Sequence, residues 1–460
     1  MKNKQCMWVW IVLVSSCFFA SNIYASTEFD AGQIAEKLSA NATQESSSTQ
    51  TAPSDSNSRQ AVLEAERDQK SEELKPEKIS HLEKFLMGYD EGGLGLNWHG
   101  LYPKFGGIDS AGGSGLAAGL RYWRRELFGS PIDLQAQYLY SIRQYSVAGI
   151  QFGKIMKYDV NRLMGLRGYG GLNNFRGLDR KDHRFFLFGT WRLRDFGEED
   201  FFGVGPNSLD DARTDYRQKD STIYGTIGYR LTSWSLVAGS GGYMKVEIDP
   251  GRDSLYPNTD QVYTDESAPG LFDDSDFTYG GGAFVIDFRD RPYNPHSGMM
   301  FGFEHYQYGD NNDTNFSFSR TSYDLRAYLP LGAEHRTLAM QLYTSMNNPD
   351  SGNRVPFYFM ETLGGPDSLR GFDTMRFRDE NLLSMSAEYR WEPSDYWELA
   401  LFYDAGKVFP QGENWNFSDL ETGYGFGVRF KLPRSVLLRF DIGHSDEGTH
   451  FYFRFTSPSF

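Results

Sequence analysis

The sequence predicts an all-β fold: a 16-stranded antiparallel transmembrane β-barrel. Three observations predict it. From residue 93 onward apolar residues alternate with polar residues or glycine, so each segment has one apolar and one polar face. The segments run about 10–13 residues, long for soluble strands and suited to a tilted bilayer crossing. Their connections alternate between short and long, as periplasmic turns and outer loops do. A β-sandwich with its apolar face inward shares the first property; segment length and loop asymmetry favour the barrel.

The chain of 460 residues carries a formal net charge of −15, which excludes a general nucleic-acid binder. Aromatics make up 16% and glycines number 49, while hydrophobic residues reach only 39%. That combination suits strands that are apolar on one face alone. At the N-terminus, Lys2 and Lys4 precede the apolar run "MWVWIVLV" (7–14), and "IYA" ends at Ala25. Residues 1–25 therefore read as an export signal, too short to span a bilayer. "VSSC" (14–17) offers the alternative of a lipoprotein signal with Cys17 acylated. The only cysteines are Cys6 and Cys17, so the exported chain is expected to hold no internal disulfide. Residues 26–92 read as a polar linker. "TQESSSTQTAPSDSNS" (43–58) has the composition of disorder, and 59–75 suits a short solvated helix.

The barrel is assigned to 93–460. Its predicted strands lie at 93–101, 116–127, 132–144, 147–158, 184–195, 218–231, 234–248, 277–289, 298–309, 317–329, 335–346, 381–391, 396–407, 422–432, 435–445 and 449–459. Ile223, Ile227, Tyr229 and Leu231 share one face of the sixth strand. On the twelfth, Leu383, Met385, Ala387, Tyr389 and Trp391 oppose Ser384, Ser386, Glu388 and Arg390. Short turns fall at "FGSP" (128–131), "LTSW" (231–234), "LGAEH" (331–335), "EPSD" (392–395) and "KLPRS" (431–435). Long loops are expected at 196–217, 249–276, 347–380 and 408–421. An even strand count returns both barrel ends to the periplasmic side. Residues 145–183 contain "RLMGLRGYGGLNNFRGLDRKD", which fits neither a strand nor a short turn.

The loop 347–380 contains "LGGPDSLRGF" (363–372), a turn-forming stretch framing one arginine, Arg370. On the strands that follow, Glu388, Arg390 and Asp404 take inward positions. By spacing alone, two readings stand open: charges solvated in a wet lumen, or a loop folded inward so that Arg370 meets Asp404 and Glu388 in carboxylate–guanidinium pairs. The glycine lane Gly423, Gly425 and Gly427 leaves room for the second.

These residues resemble the BamA/TamA-type outer-membrane assembly and translocation superfamily, also described as bacterial surface antigen barrels. "LRGF" (Leu369, Arg370, Gly371, Phe372) is similar to the family's sixth-outer-loop motif. "FYDAG" (402–406), with Asp404 and Gly406, is similar to its strand-13 motif, and "EYR" (388–390) to its strand-12 motif. "DFRDRPYNPHSG" (287–298), with Asp287, Arg289, Asp290, Pro295 and Gly298, resembles the signature around a periplasmic turn; "FFGVGPNS" (201–208) resembles a family loop. The resemblance implies a barrel with an inward-folded outer loop, in which Arg370 contacts Glu388 and Asp404 inside the lumen. It also implies insertion or translocation of proteins or lipids at the outer membrane. Its expected partners are the outer-membrane lipid bilayer and client or accessory proteins, with no nucleic acid, cofactor or metal. Two departures stand out. The family usually carries periplasmic POTRA domains, and 26–92 is too short and polar for one, so recruiting is expected to fall to partner subunits. At the C-terminus, Phe460 is the expected barrel signal, yet Phe451, Phe453 and Phe455 alternate out of phase with it; Pro458 suggests a bulge.

No enzyme site is expected. In "GHSD" (443–446) adjacent residues face opposite sides of a strand, so no triad forms. The eight histidines show no metal spacing. Seven acids in 251–276 (Asp253, Asp260, Asp265, Glu266, Asp273, Asp274 and Asp276) read as a solvated loop, with a cation site as the alternative. The alternative function is a passive outer-membrane channel or a structural membrane protein.

Overall fold

Sixteen strands run up and down in sequence order, each hydrogen-bonded antiparallel to the next. The computed structural model describes residues 100–106, 108, 115–154, 184–291, 294–332, 335–413, 415–432 and 435–455. All belong to one compact unit, Leu86–Phe460. The predicted export signal (1–25), Cys17, the linker (26–92), most of the predicted first strand, residues 155–183, Pro458 and Phe460 lie outside the described residues.

The strands are β1 (Leu101–Gly106), β2 (Ala117–Arg124), β3 (Asp133–Ser141), β4 (Ser146–Lys154), β5 (Phe185–Phe201), β6 (Thr214–Thr232), β7 (Ser235–Pro250), β8 (Ser275–Asp287), β9 (Gly298–Asp310), β10 (Phe318–Pro330) and β11 (Arg336–Pro349). A small hairpin, β12 (Glu361–Leu363) with β13 (Phe377–Asp379), interrupts them. The sheet resumes with β14 (Asn381–Ser394), β15 (Trp397–Phe409), β16 (Glu421–Leu432), β17 (Ser435–Ser445) and β18 (Gly448–Phe455).

Period two sets the faces. On β6, Ile223, Ile227, Tyr229 and Leu231 are exposed on the outside, while Thr222, Tyr224, Thr226 and Arg230 are buried on the inside. A membrane-spanning strand needs this arrangement, apolar toward lipid and polar toward the lumen. Aromatics crowd the short-turn ends. Trp234 stacks on Phe288 at 5.0 Å between ring centres, and Trp397 packs edge-on to Phe430 at 5.2 Å. Their amphipathic rings suit the membrane interface.

Two strand placements differ from the sequence expectation. The described first strand, Leu101–Gly106, runs past the predicted end at 101, and contains Pro103 opposite Leu120. Proline donates no ladder hydrogen bond, which argues against a strand in sequence; among the described residues β1 pairs with β2 alone, and edge positions tolerate proline. The loop expected at 196–217 is shorter than that: β5 runs on to Phe201 and β6 begins at Thr214, so strand covers both of its ends. A register shift between Phe196 and Glu199 resets the alternation, and the pairing resumes at Glu199–Tyr216 and continues to Phe201–Thr214. Such a bulge puts the downstream residues out of phase with those upstream, so a period-two reading ends there.

The long loops at one end pack on each other. Phe201, Leu271, Phe316, Val355, Phe357 and Phe359 are each at most 4% exposed, and join Phe277, Tyr308 and Phe318 of the strands in one apolar cluster. Phe357 sits edge-on to both Phe201 and Tyr216, at 5.1 and 4.9 Å. The loop between β11 and β14 thus reaches β5 and β6 on one side. As described next, it also reaches β17 and β18. Strands far apart in the sheet order can surround one loop only if the sheet curls around it.

Candidate functional site

The site begins with a turn. Gly364 and Gly365 adopt φ values of +122° and +85°, and the Ser368 hydroxyl accepts from the Gly364 amide and donates to its carbonyl. This tight bend turns the chain inward and delivers Leu369 and Phe372 into an apolar cluster with Leu363, Phe377, Leu382 and Val408. Arg370, between them, points the opposite way, toward the wall.

Arg370 is 2% exposed and meets the wall at every donor face. Its Nε donates to Asp404 Oδ2 at 2.6 Å and one terminal nitrogen to Asp404 Oδ1 at 2.8 Å, a bidentate pair. The other terminal nitrogen donates to Glu388 Oε2 at 2.9 Å. Its backbone N–H also donates to Asp404, at 3.1 Å. Ser386 donates to Asp404 at 2.6 Å, and the guanidinium carbon lies 3.4 Å from the centre of the Phe402 ring. Burial works against the arginine's charge, but Asp404 and then Glu388 more than offset it and hold its pKa above the ordinary value. Of the two readings left open by spacing, the structure places the residues in the loop-to-wall arrangement, with all three side chains buried.

Further charges complete the cluster. Glu388 accepts from Arg390 at 2.6 Å and from Arg429, and Arg429 donates to Glu398 at 2.6 Å. Arg439 pairs with Asp441, whose carboxylate lies 3.9 Å from Arg370. Arg370, Arg390, Arg429 and Arg439 thus face Glu388, Glu398, Asp404 and Asp441, all at most 2% exposed, so the cluster is formally neutral. A buried charge without a partner is costly, and an even count avoids it. Period two puts Arg429, Arg439 and Asp441 on the polar face of their strands. It carries no signal for which strands meet across the lumen, so their role, and those of Ser386, Phe402 and Glu398, are visible only in the fold.

Glycine makes the seat. A Cβ on Gly423 would lie 1.8 Å from the Arg370 carbonyl oxygen, and one on Gly443 would lie 2.6 Å from the Gly371 amide. Of the expected lane, Gly423 bears the loop; Gly425 and Gly427 instead face β17 and the side chains of Phe402 and Asp441. Gly406 packs against Leu363.

The same loop binds the last strands. Tyr452 of β18 accepts from the Gly371 amide at 2.9 Å and donates to the Phe372 carbonyl at 2.7 Å. Ser445 donates to the Gly371 carbonyl, Arg439 to that of Pro366, and Arg454 pairs with Asp367. Arg376 reaches both ways, donating to the Ser208 carbonyl at 2.7 Å and pairing at 2.7 Å with Glu447 in the turn between β17 and β18. Arg378 donates to the Phe357 carbonyl and the Tyr216 hydroxyl. The "FFGVGPNS" loop therefore lies against the outer loop.

The turn between β8 and β9 holds the other predicted motif. Arg289 donates back to both oxygens of Asp287, at 2.9 and 3.0 Å. Asp290 accepts from the amides of His296 and Ser297, closing the turn. Gly298 has φ +98°, and a Cβ there would lie 2.2 Å from the Phe288 carbonyl oxygen. Pro295 is buried in the turn. In "GHSD", His444 bonds Thr449 while Ser445 holds the loop, so the three side chains do not converge. In the acidic loop, Asp265 pairs with Arg354 at 2.6 Å and Asp253 accepts from the Leu255 amide. Among the described residues no group of three or more His, Cys, Asp or Glu is placed to hold a metal ion.

The family described as the Omp85 superfamily domain matches residues 181–457, more than half of the chain. Among solved structures, BamA from Haemophilus ducreyi lacking POTRA domains 1-3 is similar at 16% identity and a TM-score of 0.55, covering 78% of this chain and 70% of that one. CdiB from Escherichia coli (12% identity, TM-score 0.48) and CdiB from Acinetobacter baumannii (10%, 0.44) each cover 78% of this chain, and 63% and 59% of their own. No curated protein matches. At these identities the solved structures speak for the fold, and the family match for membership: the chain belongs to the Omp85 superfamily and is a bacterial outer-membrane β-barrel protein.

Proposed function

We propose that this barrel inserts or translocates proteins at the outer membrane, through the seam between β1 and β18. The observation that carries this reading is the loop 364–376, which is held at once by the buried charges of β14 and β15 and by Tyr452 of β18. A loop that only sealed a pore would need no bonds to a terminal strand. The other side of the seam supports the same reading. Among the described residues β1 has six residues against 19 in β6, and six pairs join it to β2. Clients would enter where the barrel is least well closed, while the pinned loop keeps β17 and β18 in place. Depletion of the protein, followed by quantitative proteomics of purified outer membranes, tests this directly. The expected result is selective loss of a set of outer-membrane or surface-exposed proteins; an unchanged membrane proteome overturns it.

A further inference from the structure

Beyond any choice of cargo, we infer that Asn294, Glu398 and Arg429 are positioning residues that tie the outer loop to the periplasmic mouth, so that an event at the β8–β9 turn is felt at Arg370. The path is continuous. Asn294, in the turn, donates from one amide nitrogen to Glu392 Oε1 of β14 and Glu398 Oε2 of β15, both at 3.0 Å. Glu398 accepts from Arg429 on its other oxygen, at 2.6 Å. Arg429 reaches on to Glu388 Oε2, the atom that also accepts from Arg370. Three strands separate the turn from β14 in the sheet, so Asn294 crosses the mouth of the lumen to make these bonds. Glu398 and Asp404 stand six residues apart on one strand, roughly 20 Å at the rise of an extended chain.

Charge gives the path its coupling. Glu398, Arg429, Glu388 and Arg370 are each at most 2% exposed, so none can turn to water when a neighbour withdraws. Glu388 is shared between Arg429, Arg390 and Arg370. If Glu398 lost its hold on Arg429, that arginine would turn to Glu388, its other ion-pair partner, and would compete with Arg370 for it. The periplasmic end is accessible by contrast. His296, which lies 2.8 Å from Glu392, is 27% exposed, and Lys431 also pairs with Glu392. A periplasmic partner that engaged the turn and withdrew Asn294 would therefore loosen Arg370 without touching it. The two sequence motifs, the turn at 287–298 and the loop at 363–372, become the two ends of one device.

Hydrogen exchange on the full chain in detergent or nanodiscs tests this, with heat-modifiable gel migration showing that each variant keeps a folded barrel. Asn294→Ala should speed exchange of the amides of 364–373 by roughly 2- to 30-fold, the range of couplings carried by such networks. Glu398→Gln, which keeps shape and removes charge, should do the same, and the double variant should add little to either. Coupling is reciprocal, so Arg370→Ala should speed exchange in 294–298 by a similar factor. A local structural role predicts otherwise: faster exchange confined to the turn and its neighbours. Loop protection unchanged in folded Asn294→Ala protein, while Arg370→Ala does lower it, overturns the inference. That outcome would leave the proposed cargo reading untouched.

Discussion

At the scale of single residues, Arg370 decides whether the loop stays inside. Arg370→Ala leaves Asp404 and Glu388 buried without their loop partner, a loss on the order of 3–5 kcal/mol where one member of a dry pair is removed. The barrel strands should still form, but the folded band on semi-native gels should melt at lower temperature. Asp404→Ala should act alike, and the double variant should fall short of the sum. Arg370→Lys should fail to restore the wild-type melt, because a single ammonium cannot reproduce the fork that grips both Asp404 oxygens. Asp379, at the end of the loop hairpin, provides a pH test. Burial, aided by Glu380 and Glu413, pushes its carboxyl up to about 6 from 3.8, against the Glu380 amide that donates to it. A raised folded pKa means that stability is fully present below about pH 4 and declines as pH rises through 6. Wild type should therefore lose more stability than Asp379→Asn between pH 4 and 7.5, by on the order of 1–3 kcal/mol. Equal pH dependence of the two melts would show that Asp379 does not titrate this way.

Among elements, the fit between loop and strand is as decisive as the charges. Gly423→Ala changes no charge, yet its methyl would occupy the position of the Arg370 carbonyl oxygen. Overpacking of this kind costs about 1–3 kcal/mol, so this variant should approach the Arg370→Ala phenotype; a wild-type melt would show that the loop can lift from β16 at no cost. Much at this scale was legible in the sequence. The twelfth to fourteenth strands were expected at 381–391, 396–407 and 422–432 and lie at Asn381–Ser394, Trp397–Phe409 and Glu421–Leu432. Alternation there is unbroken, and a single phase defines each face. It failed where phase is lost or disguised: at the Phe196/Glu199 register shift, and at β1, where Pro103 masks a strand. The meeting of Arg370 with its acids rested on resemblance, since spacing alone left a solvated lumen equally open. Asn294, in the β8–β9 turn, and Glu398, on β15, have β9, β10, β11 and β14 between them in the sheet, and no local pattern connects them.

For the whole molecule, the question is whether the barrel conducts. Two separate layers lie across its outer half. One is the charged seat of Arg370 against β14, β15 and β17; the other is the aromatic cluster of Phe201, Phe316, Phe357 and Phe359 above it. Arg378 belongs to the second, donating to Phe357, Asp200 and Tyr216 and lying 5.3–5.6 Å from the rings of Phe201, Phe357 and Tyr216. An open channel needs a continuous wet path, and an outward-folded loop would leave one. Because the layers have different chemistry, removing one should leave the other partly in place. In planar bilayers the wild-type barrel should therefore show low or rare conductance. Arg370→Ala should show brief, erratic openings as the loop fluctuates, and Arg370→Ala with Arg378→Ala should open more often and for longer. Large steady ohmic pores in the wild type would favour the passive channel over the insertion or translocation role. Silence in the double variant would mean that residues beyond these two layers hold the lumen shut.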